Sequence, residues 1–340
     1  MTIERDDTTR AIPVGIANPH GISLEPEAQA FVEAGEFIPY LYTVTPDQKR
    51  RMLDELQARP TPRPAADEDW YVVNAHSGEH PPVPVRVVRP TRHRGSAPAP
   101  VVLWVHGGGW VMGNAASHDR LVREVADASG ATIVFPEYGL SPEHAYPTAI
   151  DQCATVARWI VDEGHTHGLD ASRIAVVGDQ MGGTIAAALT LRAAAGSLAV
   201  QFAFQAFMYP ATDAACDTAS FTEFATGYSL RAEGYRDFWR LYCPNPARRF
   251  DHEASPARAP AALLAQTPPA LIITAEADCL RDEGEAYAAA LRDAGVPALA
   301  VRYSGVTNSF MMLDTLRGTM AAEAAIGQLG ATLRAAFGDR

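Results

Sequence analysis

The order of apolar runs along the chain predicts an α/β fold, with a mainly parallel central sheet flanked by helices and a helical cap. Three observations predict it. From Trp70 onward, short β-branched runs of strand length alternate with Ala-rich runs of helical period. Two of these runs end in glycine-rich turns, HGGGW at 106–110 and GDQMGG at 178–183. With 340 residues, 47% hydrophobic and 20% charged, the chain is long enough for one large α/β domain or two ordinary ones, with a sizeable core.

Taken in order, residues 1–24 are polar and punctuated by Gly and Pro, which suits an irregular arm. Apolar residues three and four apart predict helices over 25–37 and 45–59, and Thr45-Pro46 reads as an N-cap followed by proline at the first helical position. The Pro-rich stretch PTPRPAADED then reads as a linker, closing an N-terminal region of arm and cap helices over 1–69. Strands are expected at WYVV, VRVV and VVLWV, the last running directly into HGGGW. Beyond them come the strand ATIVF, the helix TAIDQCATVARWIVDEG, the strand RIAVVG, a helix opening near Gly182, and the strands FAFQAF and ALIIT. An aromatic, helix-like stretch near 213–262 interrupts the alternation and reads as a cap insertion. Its Phe221, Phe224, Tyr228, Phe238, Trp239 and Tyr242 are read as cap core ahead of ligand wall. AVRY and an Ala-rich helix complete a domain over 70–340.

Composition removes several function classes. A formal net charge of −12 repels a phosphate backbone, and no Lys/Arg run forms a basic patch, so no nucleic-acid partner is expected. No run of eighteen apolar residues occurs and MTIERDDTTR lacks a signal-peptide core, so no membrane association and a cytoplasmic location are expected. Cys153, Cys216, Cys243 and Cys279 lack CxxC spacing and read as reduced core residues, with no metal site. The sole lysine, Lys49, lies in the charged segment DQKRR, not the desolvated pocket that Schiff-base chemistry requires. No cofactor is expected.

Two turns carry the chemistry. In HGGGW, the missing side chains of Gly107, Gly108 and Gly109 let backbone N–H groups converge on a developing oxyanion, although a flexible strand-to-loop turn reads equally well. RIAVVGDQMGGTIAAALTL reads as strand, elbow and helix, the arrangement that in G-x-S-x-G lifts a serine above a sheet; its central residue here is Gln180.

HGGGW, the HDR at 118–120, LSPEHAYPTA at 140–149, YPATD at 209–213 and LRDEGEAYAAALRDAGVP at 280–297 together resemble the hormone-sensitive-lipase-type branch of the α/β-hydrolases, particularly bacterial acetyl-esterase-like members. The resemblance runs from about residue 70 to the C-terminus and implies an α/β-hydrolase fold with a triad in the order Ser, Asp, His. The serine position falls on Gln180, the acid on Asp278 and the histidine on Asn308, so the nucleophile and histidine positions are read as replaced. The resemblance also implies oxyanion donors from Gly108, Gly109 and Met181, with His106, Gly107, His118 and Asp119 supporting the loop. Gly139 stands where the family usually has Arg, which puts a local salt bridge in doubt.

An amide side chain is not a nucleophile at neutral pH and shuttles no proton, so ordinary serine-esterase activity is expected to be absent. The expected partner is a small molecule with a carbonyl, ester or lactone group, with homodimerisation left open. Because polarising N–H groups also stabilise enolates, the leading expectation is non-hydrolytic chemistry such as cyclisation, dehydration or isomerisation, as in specialised metabolism. A ligand-binding pseudo-esterase and an inactivated carboxylesterase variant are the alternatives. Gln180 is expected to face the ligand, so Gln180→Ala should weaken ligand interactions while leaving melting nearly unchanged.

Overall fold

The computed structural model describes residues 17–35, 39–58, 61–75, 80–91, 98–228 and 230–338. Among these, eight strands build one sheet: β1 (Ala66–Val73), β2 (Val83–Pro90), β3 (Ala99–Val105), β4 (Thr132–Pro136), β5 (Leu169–Asp179), β6 (Phe202–Met208), β7 (Ala270–Ala277) and β8 (Ala298–Thr307). Their order is β1-β2-β4-β3-β5-β6-β7-β8. The β1–β2 and β2–β4 pairs are antiparallel, and every other pair is parallel. Parallel central strands must be covered on both faces, and β3, β4 and β7 are almost wholly buried, which is why they read as continuous apolar runs.

The helices are α1 (Pro26–Gly35), α2 (Pro46–Gln57), α3 (Asp119–Ser129), α4 (Thr148–Asp162), α5 (Met181–Ala194), α6 (Ala219–Glu223), α7 (Ala232–Tyr242), α8 (Ala261–Leu264), α9 (Arg281–Asp293) and α10 (Met320–Ala336). They flank the sheet in two groups. α3 packs with α10, while α4 packs with α5, α5 with α8 and α8 with α9. No described helix is long and apolar enough to cross a membrane.

The N-terminal helices act as straps. Thr45 caps α2 through a capping box with Gln48, with Pro46 at the first helical position. From α2, Arg50 donates to the carbonyls of Val111 and Ser141, and Gln57 Nε2 donates to those of Ser117 and Met312. The helix is thus tied to the loop after β3 and to the loop after β8. Between β6 and β7, α6, α7 and α8 fall within 219–264, α8 running past the end of the expected 213–262 insertion. On α7, Tyr235, Phe238, Trp239 and Tyr242 recur at helical spacing and are all buried, as are Phe221, Phe224 and Tyr228.

Two expectations need correction. The first strand begins at Ala66, not Trp70, so the end of the supposed linker is strand. All eight residues of β1 pair with β2, and its charges are tolerated because this is an edge strand where Asp69 meets Arg89 and Glu68 meets Arg86. Lys49 is buried at 2% exposure, with Nζ donating to the Val44 carbonyl at 2.8 Å and pairing with Asp237 of α7 at 3.0 Å. The charge of DQKRR disguised this, because its partner lies far along the chain. All four cysteines are free and buried.

Candidate active site

Sheet register assembles the site. Val105 at the end of β3 stands beside Gly178 of β5, so the glycine loop emerges next to the turn from β5 into α5. Gln180 is that turn, with φ 53° and ψ −120°, a conformation that costs a side-chain-bearing residue about 1–3 kcal/mol. The backbone is held open from below by Gln180 N–H donating to the Met208 carbonyl at 2.8 Å. A Cβ at Gly182 would come within 2.1 Å of the Val105 carbonyl oxygen, so only glycine lets α5 start this close to β3. At the far side, Ala277 of β7 stands beside Thr307 of β8, which sets Asp278 beside Asn308.

These placements join six residues in one buried hydrogen-bonded chain. Gln180 Oε1 accepts from Gly108 N–H at 2.8 Å and Gly109 N–H at 3.1 Å. Gln180 Nε2 donates to Asn308 Oδ1 at 3.0 Å, and Asn308 Nδ2 donates to Asp278 Oδ2 at 2.8 Å. Ser309 Oγ donates to the same Asn308 oxygen at 2.7 Å. The direction of the chain is fixed at both ends. Backbone N–H groups require an acceptor at Gln180, an ionised carboxylate requires a donor from Asn308, and the two amides orient consistently between them.

The glycine amides and the Gln180 amide, expected to face a ligand, here face each other. The side-chain carbonyl of Gln180 sits on the N–H groups of Gly108 and Gly109, the donors that the resemblance assigns to an oxyanion. The sequence could identify each residue but not this pairing, because leaving two buried N–H groups unsatisfied would cost more than turning the amide inward. Met181 begins α5 and is buried, and no side-chain hydrogen bond ties it into the chain among the described residues.

Asp278 is buried and its Oδ1 accepts from Tyr235 O–H and Leu280 N–H, each at 3.1 Å. Burial pushes its pKa up to about 6, against the opposing pull of Asn308, the Leu280 amide and Tyr235. Tyr235 was missed in the sequence; its place in the buried stripe of α7 was the available signal.

The supporting residues sit behind the glycine loop. His106 stacks on Tyr138 with ring centroids 4.1 Å apart, and its Nδ1 lies 2.8 Å from the Gly107 carbonyl. Burial drives its pKa down to about 3, which keeps the ring neutral. Gly107 allows the loop to approach Asp179, since a Cβ there would lie 2.4 Å from Asp179 Oδ2. Asp119 is set away from the loop's glycines, among Arg86, Arg123 and Arg63. Burial raises its pKa, but Arg86 and Arg123 outweigh that and hold the carboxyl below its usual range. At Gly139, a Cβ would lie 2.6 Å from the His144 ring, so no larger residue fits this backbone without displacing it.

A Ser–His–Asp contact does occur here: Ser117 Oγ lies 2.9 Å from His118 Nδ1, and His118 Nε2 lies 3.3 Å from Asp179 Oδ2. The N–H groups beside Ser117 are committed to other acceptors. The N–H groups of Ala116 and Ser117 both go to Asn114 Oδ1, that of Ala115 goes to Glu137, and Ser117 Oγ is itself bonded to the backbone of Asn114. The arrangement holds the loop, and supplies no stabilised tetrahedral intermediate.

α7 closes the remaining side. A Cβ at Gly109 would lie 2.5 Å from the Phe238 ring, and Trp110 stacks on Tyr242 with centroids 4.0 Å apart. This helix therefore rests directly on the glycine loop.

Comparison with known proteins agrees with this architecture. A family profile described as alpha/beta hydrolase fold matches residues 102–312. An ethyl acetate hydrolase of Pseudomonas putida is 33% identical over 304 residues, spanning 87% of this chain and 94% of that protein. The esterase LipI of Mycobacterium tuberculosis is 39% identical over 243 residues, spanning 70% of this chain and 74% of that protein. The crystal structure of a thermostable esterase from Pseudomonas putida superposes with a TM-score of 0.86 at 36% identity, covering 93% of this chain and 98% of that one. The chain belongs to the α/β-hydrolase fold family, among its esterase-like members.

Proposed function

We propose that this chain is a non-hydrolysing member of the family, with Gln180 and Asn308 standing where a catalytic serine and histidine act, and that it binds a small carbonyl-containing molecule by exchange. The ligand oxygen takes the Gly108 and Gly109 donors when the Gln180 carbonyl leaves them. The observation that carries the reading is the position of Gln180 Oε1, 2.8 and 3.1 Å from those two N–H groups. It supports binding over the carbonyl-polarising chemistry expected from the sequence, because donors already committed to an internal carbonyl lower no barrier until it is displaced. Neither amide forms an alkoxide or accepts its proton, and Asp278 is shielded from Gln180 by Asn308.

The names of the relatives favour a second reading, ester hydrolysis. One experiment separates the two. Gln180→Ser with Asn308→His restores a nucleophile and base beside Asp278, and hydrolysis of p-nitrophenyl acetate should rise by about a hundredfold over the parent chain. A parent that already turns over as fast as the double variant refutes the proposal.

A further inference from the structure

Away from the Gln180 site, a cavity of about 470 Å³ lies where α2 meets β1 and the loop after the glycines. Its walls include Asp54 and Gln57 of α2, Trp70 of β1, the backbone around Ala115 and Ala116, and Glu137 just beyond β4. The size is that of a small-molecule site, typically about 300–1,000 Å³. Among the described residues, no lysine or arginine lines it.

Gln57, Asn114 and Ser117 of its walls are hydrogen-bonded within the protein. Gln57 spends its amide N–H groups on the Ser117 and Met312 carbonyls and its oxygen on Asp314 N–H. Asp54 Oδ1 accepts from Asn114 Nδ2 at 2.9 Å, and Glu137 Oε1 accepts from Ala115 N–H at 2.7 Å. The second oxygen of each carboxylate has no protein donor among the described residues. Nearby cations do not supply one: Arg86 and Arg123 are each shared between Glu68 and Asp119.

The Trp70 ring is an independent sign. It is 54% exposed, an unusual cost for an indole. Elsewhere this protein covers aromatic faces with arginine, including the exposed Phe250 beneath Arg258 at 4.4 Å. Among the described residues no cation covers Trp70. An aromatic ring and two carboxylates on the walls of one cavity, together with Ala58, Ala115 and Ala116, match a positive head on a short apolar body.

We propose that this cavity is a second binding site, for a small organic cation of the alkylammonium or guanidinium type. Its occupant touches the loop that leads from the glycines into α3, and needs nothing from Gln180.

Isothermal titration of the full chain with n-butylammonium chloride tests this, with n-butanol and sodium chloride as matched controls. Saturable binding of the ammonium and none of the alcohol is expected. Trp70→Ala, which removes an exposed ring, should weaken binding about fivefold or more, and Asp54→Asn, which keeps the bond from Asn114, about tenfold. Gln180→Leu should leave the affinity unchanged. Non-saturable heats, equal binding of n-butanol, or unaltered affinity in both Trp70→Ala and Asp54→Asn overturns the proposal.

Discussion

Replacing Gln180 with leucine isolates the role of its amide. Leucine fills nearly the same volume, so the change removes hydrogen bonds without opening a large cavity. Two buried donors, Gly108 N–H and Gly109 N–H, lose their acceptor, while Asn308 Oδ1 keeps Ser309. An unsatisfied buried N–H costs about 1–3 kcal/mol, so after some relaxation the variant should lose about 2–4 kcal/mol. Unfolding entropy near 2.1 cal/mol/K per residue amounts to about 0.7 kcal/mol/K for a chain of 340 residues, which converts the loss to about 3–6 °C in melting temperature. Gln180→Ala should fall by less, because the smaller side chain admits water to the same donors. Circular dichroism melts of the three proteins read this directly. A leucine variant melting within about 1 °C of the parent would mean that Gln180 does not satisfy the glycine amides, and the account of the site would fail.

Three further outcomes follow from the same geometry. Asn308→Asp sets a second carboxyl against Asp278 Oδ2, where an amide now donates at 2.8 Å, so one proton must be retained between them and urea stability should drop steeply as pH rises; a pH-independent loss contradicts this. In the parent chain, the Asp278 pKa of about 6 lies above its ordinary 3.8, so the stability this group contributes is full below about pH 4 and is lost as pH rises through about 6, an effect of order 3 kcal/mol. Urea midpoints of the parent should therefore fall relative to those of Asp278→Asn between about pH 4 and pH 7, and parallel curves would contradict the assignment. Gly109→Ala forces a Cβ to 2.5 Å from Phe238 at φ +69°, and should cost about 3 kcal/mol in urea unfolding; a neutral result would mean that α7 does not rest on the loop.

The central fold was legible where burial on both faces leaves a plain apolar run. VVLWV and RIAVVG fall within β3 and β5, and Thr45-Pro46 starts α2 as its capping chemistry implies. The start of β1 was not, because an exposed edge strand tolerates Asp67, Glu68 and Asp69, which read as linker. Lys49 shows the same limit. Its burial depends on Asp237 of a distant helix, and no local pattern records that pairing. In the site, the residues at each turn were readable from glycine spacing and resemblance. The direction of the Gln180 amide was not, since Gly108 and Asn308 become its neighbours only after the sheet register is set.

The most direct test of the central claim is steady-state hydrolysis of p-nitrophenyl acetate by the unaltered chain, read together with fluorophosphonate labelling and peptide mass spectrometry. The geometry of Gln180, Asn308 and Asp278 predicts no turnover above the buffer rate and no labelled serine. Saturable turnover that is lost in Asp278→Ala, or a serine labelled at the rate of turnover, would contradict it.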